Sequence, residues 1–161
     1  MEEGIRAAFG LSRGDIRSCP SLTLAYVGDS AYELVIRTVL VEARGTRPGL
    51  LNRAAQQYVK AESQAAIGMM LLGELSEEEA AVYRRGRNAH PSTIAKHASM
   101  SAYRKATGFE ALIGYLYLSG RHERMYELIR KGMAYIDEKT DAEKTDAEKT
   151  DAEKTDAEKR E

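Results

Sequence analysis

One cysteine, no tryptophan, two phenylalanines and three prolines among 161 residues leave this chain few of the usual staples of a small fold. A lone thiol cannot close an internal disulfide, so Cys19 excludes a disulfide-stapled secreted module and fits a reducing compartment. The longest apolar runs reach about half of the roughly 20 residues that a membrane span requires. The opening Met-Glu-Glu-Gly also lacks the basic-then-apolar order of a signal peptide. A cytoplasmic protein with no membrane partner is the expectation. His90, His97 and His122 lack the i, i+4 spacing of a helical metal pair, and no His-Glu-x-x-His, Cys-x-x-Cys or Glu-x-x-His unit occurs. Zinc, haem and di-iron chemistry are therefore disfavoured. Nor is there a Gly-rich nucleotide loop or a Gly-x-Ser-x-Gly elbow, which leaves nucleotide-driven and acyl-transfer reactions without support.

Charge of one sign is scarce only in the total. The formal net charge is −1, but residues 1–139 carry 19 Lys+Arg against 16 Asp+Glu, whereas residues 140–161 carry 5 against 9. A mildly basic body is compatible with a nucleic-acid partner without requiring one. The acidic end is four copies of Thr-Asp-Ala-Glu-Lys from Thr140 to Lys159, then Arg160-Glu161. In a helix, a five-residue period advances the side chains by about 140° net per repeat, so no apolar stripe forms. The tail is expected to be disordered, or a solvated helix continuing the one before it. The boundary is placed near Ile136, giving a folded domain at 1–136 and an acidic repeat tail at 137–161.

The body reads as helix throughout, with no sustained alternation and no Asn-Gly or Asp-Gly hairpin turn. An all-α fold of five principal helices is expected. They run from Ser21 or Thr23 to Ala43, Gly49 to Leu72, the Ser76-Glu-Glu-Glu79 capping box to Arg87, Ser101 to Ser119, and Arg121 to Ile136. Residues 88–100, with Pro91 and two histidines, read as an irregular connection.

What stands out against this background is two acids inside the most apolar helices. Asp29 sits in Leu22-Thr-Leu-Ala-Tyr-Val-Gly-Asp-Ser-Ala-Tyr-Glu33, and Glu110 in Phe109-Glu-Ala-Leu-Ile-Gly-Tyr-Leu-Tyr-Leu118. An unpaired buried carboxylate costs several kcal/mol or takes up a proton, so such acids are normally paired, hydrogen-bonded or metal-bound. Spacing alone leaves a buried salt bridge and a catalytic pair equally open. Gly28 and Gly114, beside and one turn from the acids, would permit close helix approach or leave room for ligand. Mg²⁺ favours oxygen ligands and keeps several waters, so one Asp, one Glu, waters and a substrate phosphate would suffice. Glu33 shares a face with Asp29 and is either a supporting acid or the partner of Arg37. Arg84, Arg85, Arg87 and Asn88, with Lys96 and His97 in the connection and Arg104 and Lys105 beyond it, form the densest positive region. They are either phosphate contacts or a solvated helix end offsetting its dipole.

The segment 24–33 resembles the first signature of the ribonuclease III catalytic domain, and 109–118 resembles its second acidic helix, in the same order and at a similar separation. Ala54-Ala-Gln-Gln-Tyr-Val59, Arg84-Arg-Gly-Arg-Asn-Ala89 and Tyr103-Arg104 are similar to pieces of its short branch, Mini-ribonuclease III. The resemblance covers about residues 20–130. It implies an all-α homodimeric endonuclease that uses Mg²⁺, cleaves double-stranded RNA to 5′-phosphate and 3′-hydroxyl ends, and matures 23S ribosomal RNA precursor. It makes Asp29 and Glu110 the metal-binding catalytic acids. Where longer relatives carry further acids, this chain has Leu22, Ala25 and Thr107, and no separate double-stranded-RNA-binding domain follows. Substrate binding is thus expected from the dimer surface, through Arg84, Arg85, Arg87, Asn88, Lys96 and Arg104, aided by a ribosomal protein of the large subunit or by rRNA structure. The alternative is a catalytically silent RNA-binding or ribosome-assembly module on the same fold.

Overall fold

A computed structural model describes residues 1–12, 14–45, 47–89 and 99–158. The described elements are α1 (Glu2–Ala8), α2 (Ser21–Arg44), α3 (Pro48–Val59), α4 (Ala61–Leu71), α5 (Glu77–Asn88), α6 (Met100–Leu118) and α7 (His122–Glu158). Short 3₁₀ turns lie at Ile16–Ser18 and Leu72–Glu74. The all-α architecture agrees with the sequence pattern.

α6 is apolar on nearly every side, so its stable place is the middle of the bundle. There it packs against α2, α4, α5 and α7, burying Phe109, Leu112, Ile113 and Leu116 completely. α5 starts at the anticipated capping box, where Glu79 N donates to Ser76 Oγ and Ser76 N to Glu79 Oε2. The same Glu79, 4% exposed, receives both Nε and an Nη of Arg124, which ties the start of α5 to α7. α6 ends at Gly120, whose φ of 73° lies in the left-handed region that glycine tolerates.

Two features depart from the sequence expectation. The single helix over 49–72 is two helices, because Lys60 is extended (φ −65°, ψ 149°) and caps both. Neither glycine nor proline marks this break. It is held by tertiary bonds: Tyr32 donates to the Tyr58 carbonyl (3.3 Å) and Ser63 Oγ to the Gln57 carbonyl (2.7 Å). The N-terminal α1, absent from the five-helix reading, docks because Glu2 is buried within 2.7 Å of His122 Nε2 and Arg6 donates to the Leu118 carbonyl. α7 runs from His122 past Ile136 to Glu158 as one helix.

The packed side of α7 reaches a little past Ile136. Asp137 Oδ1 accepts from Tyr58 Oη (2.6 Å) and Gln57 Nε2 (3.2 Å), and Thr140 Oγ1 accepts from the same amide. We propose that the folded body closes at residues 136–140 and that the later repeats lie outside it. Truncation after Thr140 is therefore expected to leave melting temperature and cleavage unchanged. A large loss of either, by thermal melt and duplex cleavage assay, would place part of the working fold in the tail.

Candidate active site

The two acids meet where α2 crosses α6. A Cβ on Gly28 would lie 1.8 Å from the Glu110 carbonyl oxygen, and one on Gly114 would lie 2.0 Å from that of Leu24. Only glycine at both positions lets the two backbones touch. Asp29 follows Gly28, and Glu110 stands one turn before Gly114, so the crossing itself brings the carboxylates together. Beneath them Tyr32 and Phe109 meet edge to face at 5.1 Å and are fully buried.

The electrostatics follow from this placement. Glu110 is partly buried, and desolvation, with the Asp29 charge added, pushes its carboxyl up to about 7. Asp29 keeps an exposed edge, yet its carboxyl is also raised, first by partial burial and further by Glu33, while a hydrogen bond from Gln64 works against the rise. Neither acid has an ion-pair partner among the described residues. Among the described residues the salt-bridge alternative thus finds no cation, and the Asp29 charge disfavours ionisation of Glu110. Among the described residues no group of three or more His, Cys, Asp or Glu side chains converges, so the site offers two carboxylates and no more.

Glu33 lies one turn on and is engaged elsewhere. Its Oε2 accepts from Arg37 at 2.7 and 3.1 Å, and Arg37 reaches on to Asn52 of α3. Its charge bears on Asp29, but its hydrogen bonds serve the α2–α3 contact. Arg84 and Arg85 are exposed on α5, and Arg87 is half-buried with Nε donating to Asn88 Oδ1 (3.3 Å). Two open grooves share Asn88. One places Arg84 and Arg85 against Pro20, Ser21 and Leu22 at the start of α2; the other places Arg87 against Ser101, Arg104 and Lys105 of α6. Leu22 precedes Asp29 by seven residues on the same helix face, about 10 Å along the axis, so the basic surface opens on the side that carries the acid. Lys96 lies outside the described residues, as do His90, Pro91 and His97. A separate apolar groove between α2 and α7, lined by Leu34, Val35, Met125, Tyr126 and Ile129, contains neither acid.

Gln64 is the residue that sequence reasoning missed. It is 2% exposed on α4, and its Nε2 stands 3.5 Å from Asp29 Oδ1. The available signal was of the same kind as for Asp29: a polar side chain within an apolar stretch, Gln64-Ala-Ala-Ile67.

Crossing helices that carry two acids beside a basic surface suit a helical hydrolase of phosphate-bearing substrates. The Ribonuclease III domain model matches residues 22–121, which contain every element of this site except the residues before Leu22. The chain belongs to the ribonuclease III family, in its Mini-ribonuclease III branch, and is an endoribonuclease. It is 50% identical over 117 residues to the Mini-ribonuclease 3 of Enterococcus faecalis, which covers 71% of this chain and 89% of that one. It is 44% identical over 116 residues to the Mini-ribonuclease 3 of Brevibacillus brevis, covering 72% and 87%. A crystal structure of a Fusobacterium nucleatum protein superposes with a TM-score of 0.68 at 30% identity, over 74% of this chain and 96% of that one. The family generally depends on a divalent metal and acts as dimers on double-stranded RNA. No described helix is long and apolar enough to cross a membrane.

Proposed function

We propose that the chain is a Mg²⁺-dependent, double-strand-specific endoribonuclease that matures 23S ribosomal RNA precursor as a cytoplasmic homodimer, with Asp29 and Glu110 as its metal-holding catalytic acids. The observation that carries this reading is the α2–α6 crossing. It brings Asp29 and Glu110 near enough for the Asp29 charge to bear on Glu110, whose carboxyl burial and that charge raise to about 7, with no ion-pair partner for either acid among the described residues. A hard divalent cation with oxygen preference fits that donor set, since it would offset the mutual repulsion and take its remaining ligands from water and phosphate. When bound, Mg²⁺ supplies the charge that activates a water, stabilises the phosphoryl oxygens and assists the departing 3′-oxygen. The protein's own residues hold the rest: the glycine crossing fixes the distance between the acids, and the apolar floor of Tyr32 and Phe109 keeps that side of the site dry.

Duplex preference follows from surface shape. A-form RNA displays a wide, shallow minor groove with 2′-hydroxyls, which an open basic surface reads by geometry more than by base identity. Arg84, Arg85, Arg87, Asn88 and Arg104 supply such a surface, and Lys96 belongs to the same proposal. Dimerisation is supported by Tyr26, 79% exposed, and Leu22, 38% exposed, on the face of α2 that bears Asp29. Covering them with a second copy would set two sites beside one seam, one for each strand. An accessory ribosomal protein of the large subunit, or folded rRNA, would add further contacts.

Presenting purified protein with a structured 23S precursor fragment, an unrelated duplex and a single strand tests the substrate. Cuts on both strands of the precursor stem are expected, with the single strand spared; equal cleavage of the single strand would sink the duplex reading. The basic surface has its own test. Neutralising Arg84, Arg85 and Arg87 together is expected to weaken binding to every duplex by a similar factor and to flatten the salt dependence by up to about three phosphate contacts. Unchanged affinity and slope in a folded variant would remove the cluster from the interface.

A further inference from the structure

We propose that Gln64 is a positioning residue of this site: its buried side-chain amide holds one oxygen of Asp29 and leaves the other for the divalent cation. The inference rests on the metal-site reading above and extends it to a residue outside both acidic segments.

Gln64 lies on α4, on its buried side with Ser63, Ala65, Ile67, Gly68 and Leu71. Leucine would pack there at no desolvation cost, whereas a buried amide without a partner costs about 1–3 kcal/mol. Its partner is Asp29 Oδ1, at 3.5 Å the long end of a hydrogen bond. An ionised carboxylate only accepts, so the NH₂ end of the amide must face it.

The placement is specific. Gln64 N donates to the Lys60 carbonyl (3.1 Å) in the first turn of α4, just after the break that separates α3 from α4. That break is pinned by Ser63 to Gln57, and by Tyr32, three residues past Asp29 on α2, to Tyr58. The interruption that the sequence does not announce is thus what aims the start of α4 at the α2 acid.

A neutral donor is also the right chemical type. Asp29 lies on an exposed part of α2, where nothing else among the described hydrogen bonds fixes its rotamer. Arginine or lysine at position 64 would fix it but supply the positive charge reserved for the ion. Glutamate would add a third repelling carboxylate. An amide orients without neutralising, the usual role of the hydrogen-bond partners behind metal-binding side chains.

The test measures Mn²⁺ binding to the RNA-free full-length protein by the electron paramagnetic resonance of the free ion, for wild type, Asp29→Asn, Gln64→Met and Gln64→Asn, with melting temperatures and duplex kinetics alongside. Gln64→Met is near in size and cannot donate. It is expected to weaken Mn²⁺ about 10-fold or more, to lower kcat at limiting metal with KM for duplex unchanged, and to recover when metal is raised. Gln64→Asn, with a shorter donor, is expected to fall between. Wild-type Mn²⁺ affinity in folded Gln64→Met, or losses that track melting temperature alone, would overturn the proposal. Should both variants fail to fold, the wild-type Gln64 side-chain amide is followed by NMR. It is expected to broaden on adding Mn²⁺ and to stay sharp in Asp29→Asn; no broadening in wild type overturns the proposal. If wild type itself binds no Mn²⁺, or Asp29→Asn binds as tightly, the metal-site reading has failed. If that site behaves as expected and only Gln64→Met is silent, the Gln64 proposal alone has failed.

Discussion

Replacing Glu110 with glutamine is expected to abolish cleavage and, at pH 8, to make the folded protein more stable. Both effects come from one cause. Glu110 is raised from the ordinary carboxylate range to about 7 by burial and by Asp29. The folded protein therefore binds that proton more tightly than the unfolded chain does, and this group costs stability as the pH climbs from about 4.5 through 7. Above pH 7 the full cost is present, up to about 3 kcal/mol for a shift of this size. Glutamine keeps the shape and cannot ionise, so Glu110→Gln should melt higher than wild type at pH 8 and alike near pH 4. Excess Mg²⁺ should narrow the gap by stabilising wild type alone. Losing one of two anionic ligands removes several kcal/mol of transition-state stabilisation, so the rate should fall by about a thousandfold or more. Asp29→Asn should show the same loss of rate with a smaller gain in stability. Melting curves across pH, paired with duplex cleavage, check this; a variant that cleaves at near wild-type rate contradicts the two-acid site.

The second large effect is expected at the helix crossing. Gly28→Ala and Gly114→Ala each force a methyl into backbone atoms about 2 Å away, where no side chain can move aside. The helices would have to separate along the whole α2–α6 contact, at a cost of about 4 kcal/mol or more, comparable with the entire stability of a small domain. Loss of soluble folded protein, or a fall in melting temperature of tens of degrees, is the expected result. Gly73→Ala, where a Cβ meets nothing within 4 Å, should be within about 0.5 kcal/mol of wild type. A stable, active Gly28→Ala protein would mean that the acids do not depend on this close crossing.

The crossing also marks how far the sequence alone could be read. Asp29 and Glu110 were legible because a charge in an apolar helix is costly and needs a reason, and Gly28 and Gly114 because glycine inside a helix is unfavourable without one. The capping box at Ser76 was legible because its chemistry is local. The break at Lys60 was not, since Tyr32 reaches the Tyr58 carbonyl from α2 while Ser63 closes onto the Gln57 carbonyl across the break, and a single apolar pattern runs through it. For the same reason Gln64 passed as one polar residue in a helix: its meaning depends on where α4 starts relative to α2. α1 escaped because it docks through Glu2 and Arg6, polar side chains that read as surface. For Glu33 the sequence left two roles open, and its two bonds to Arg37 favour the structural one.

The most direct measurement of the central claim is cleavage of a structured rRNA fragment by the purified protein with Mg²⁺ present or chelated, followed by chemical analysis of the new ends. A site made of two carboxylates and a hard cation predicts cutting only with Mg²⁺, falling off as the pH drops below about 7 where protons compete for Glu110, and leaving 5′-phosphate and 3′-hydroxyl ends. Cleavage that survives chelation, or ends bearing a 2′,3′-cyclic phosphate from attack by the RNA's own hydroxyl, would contradict it.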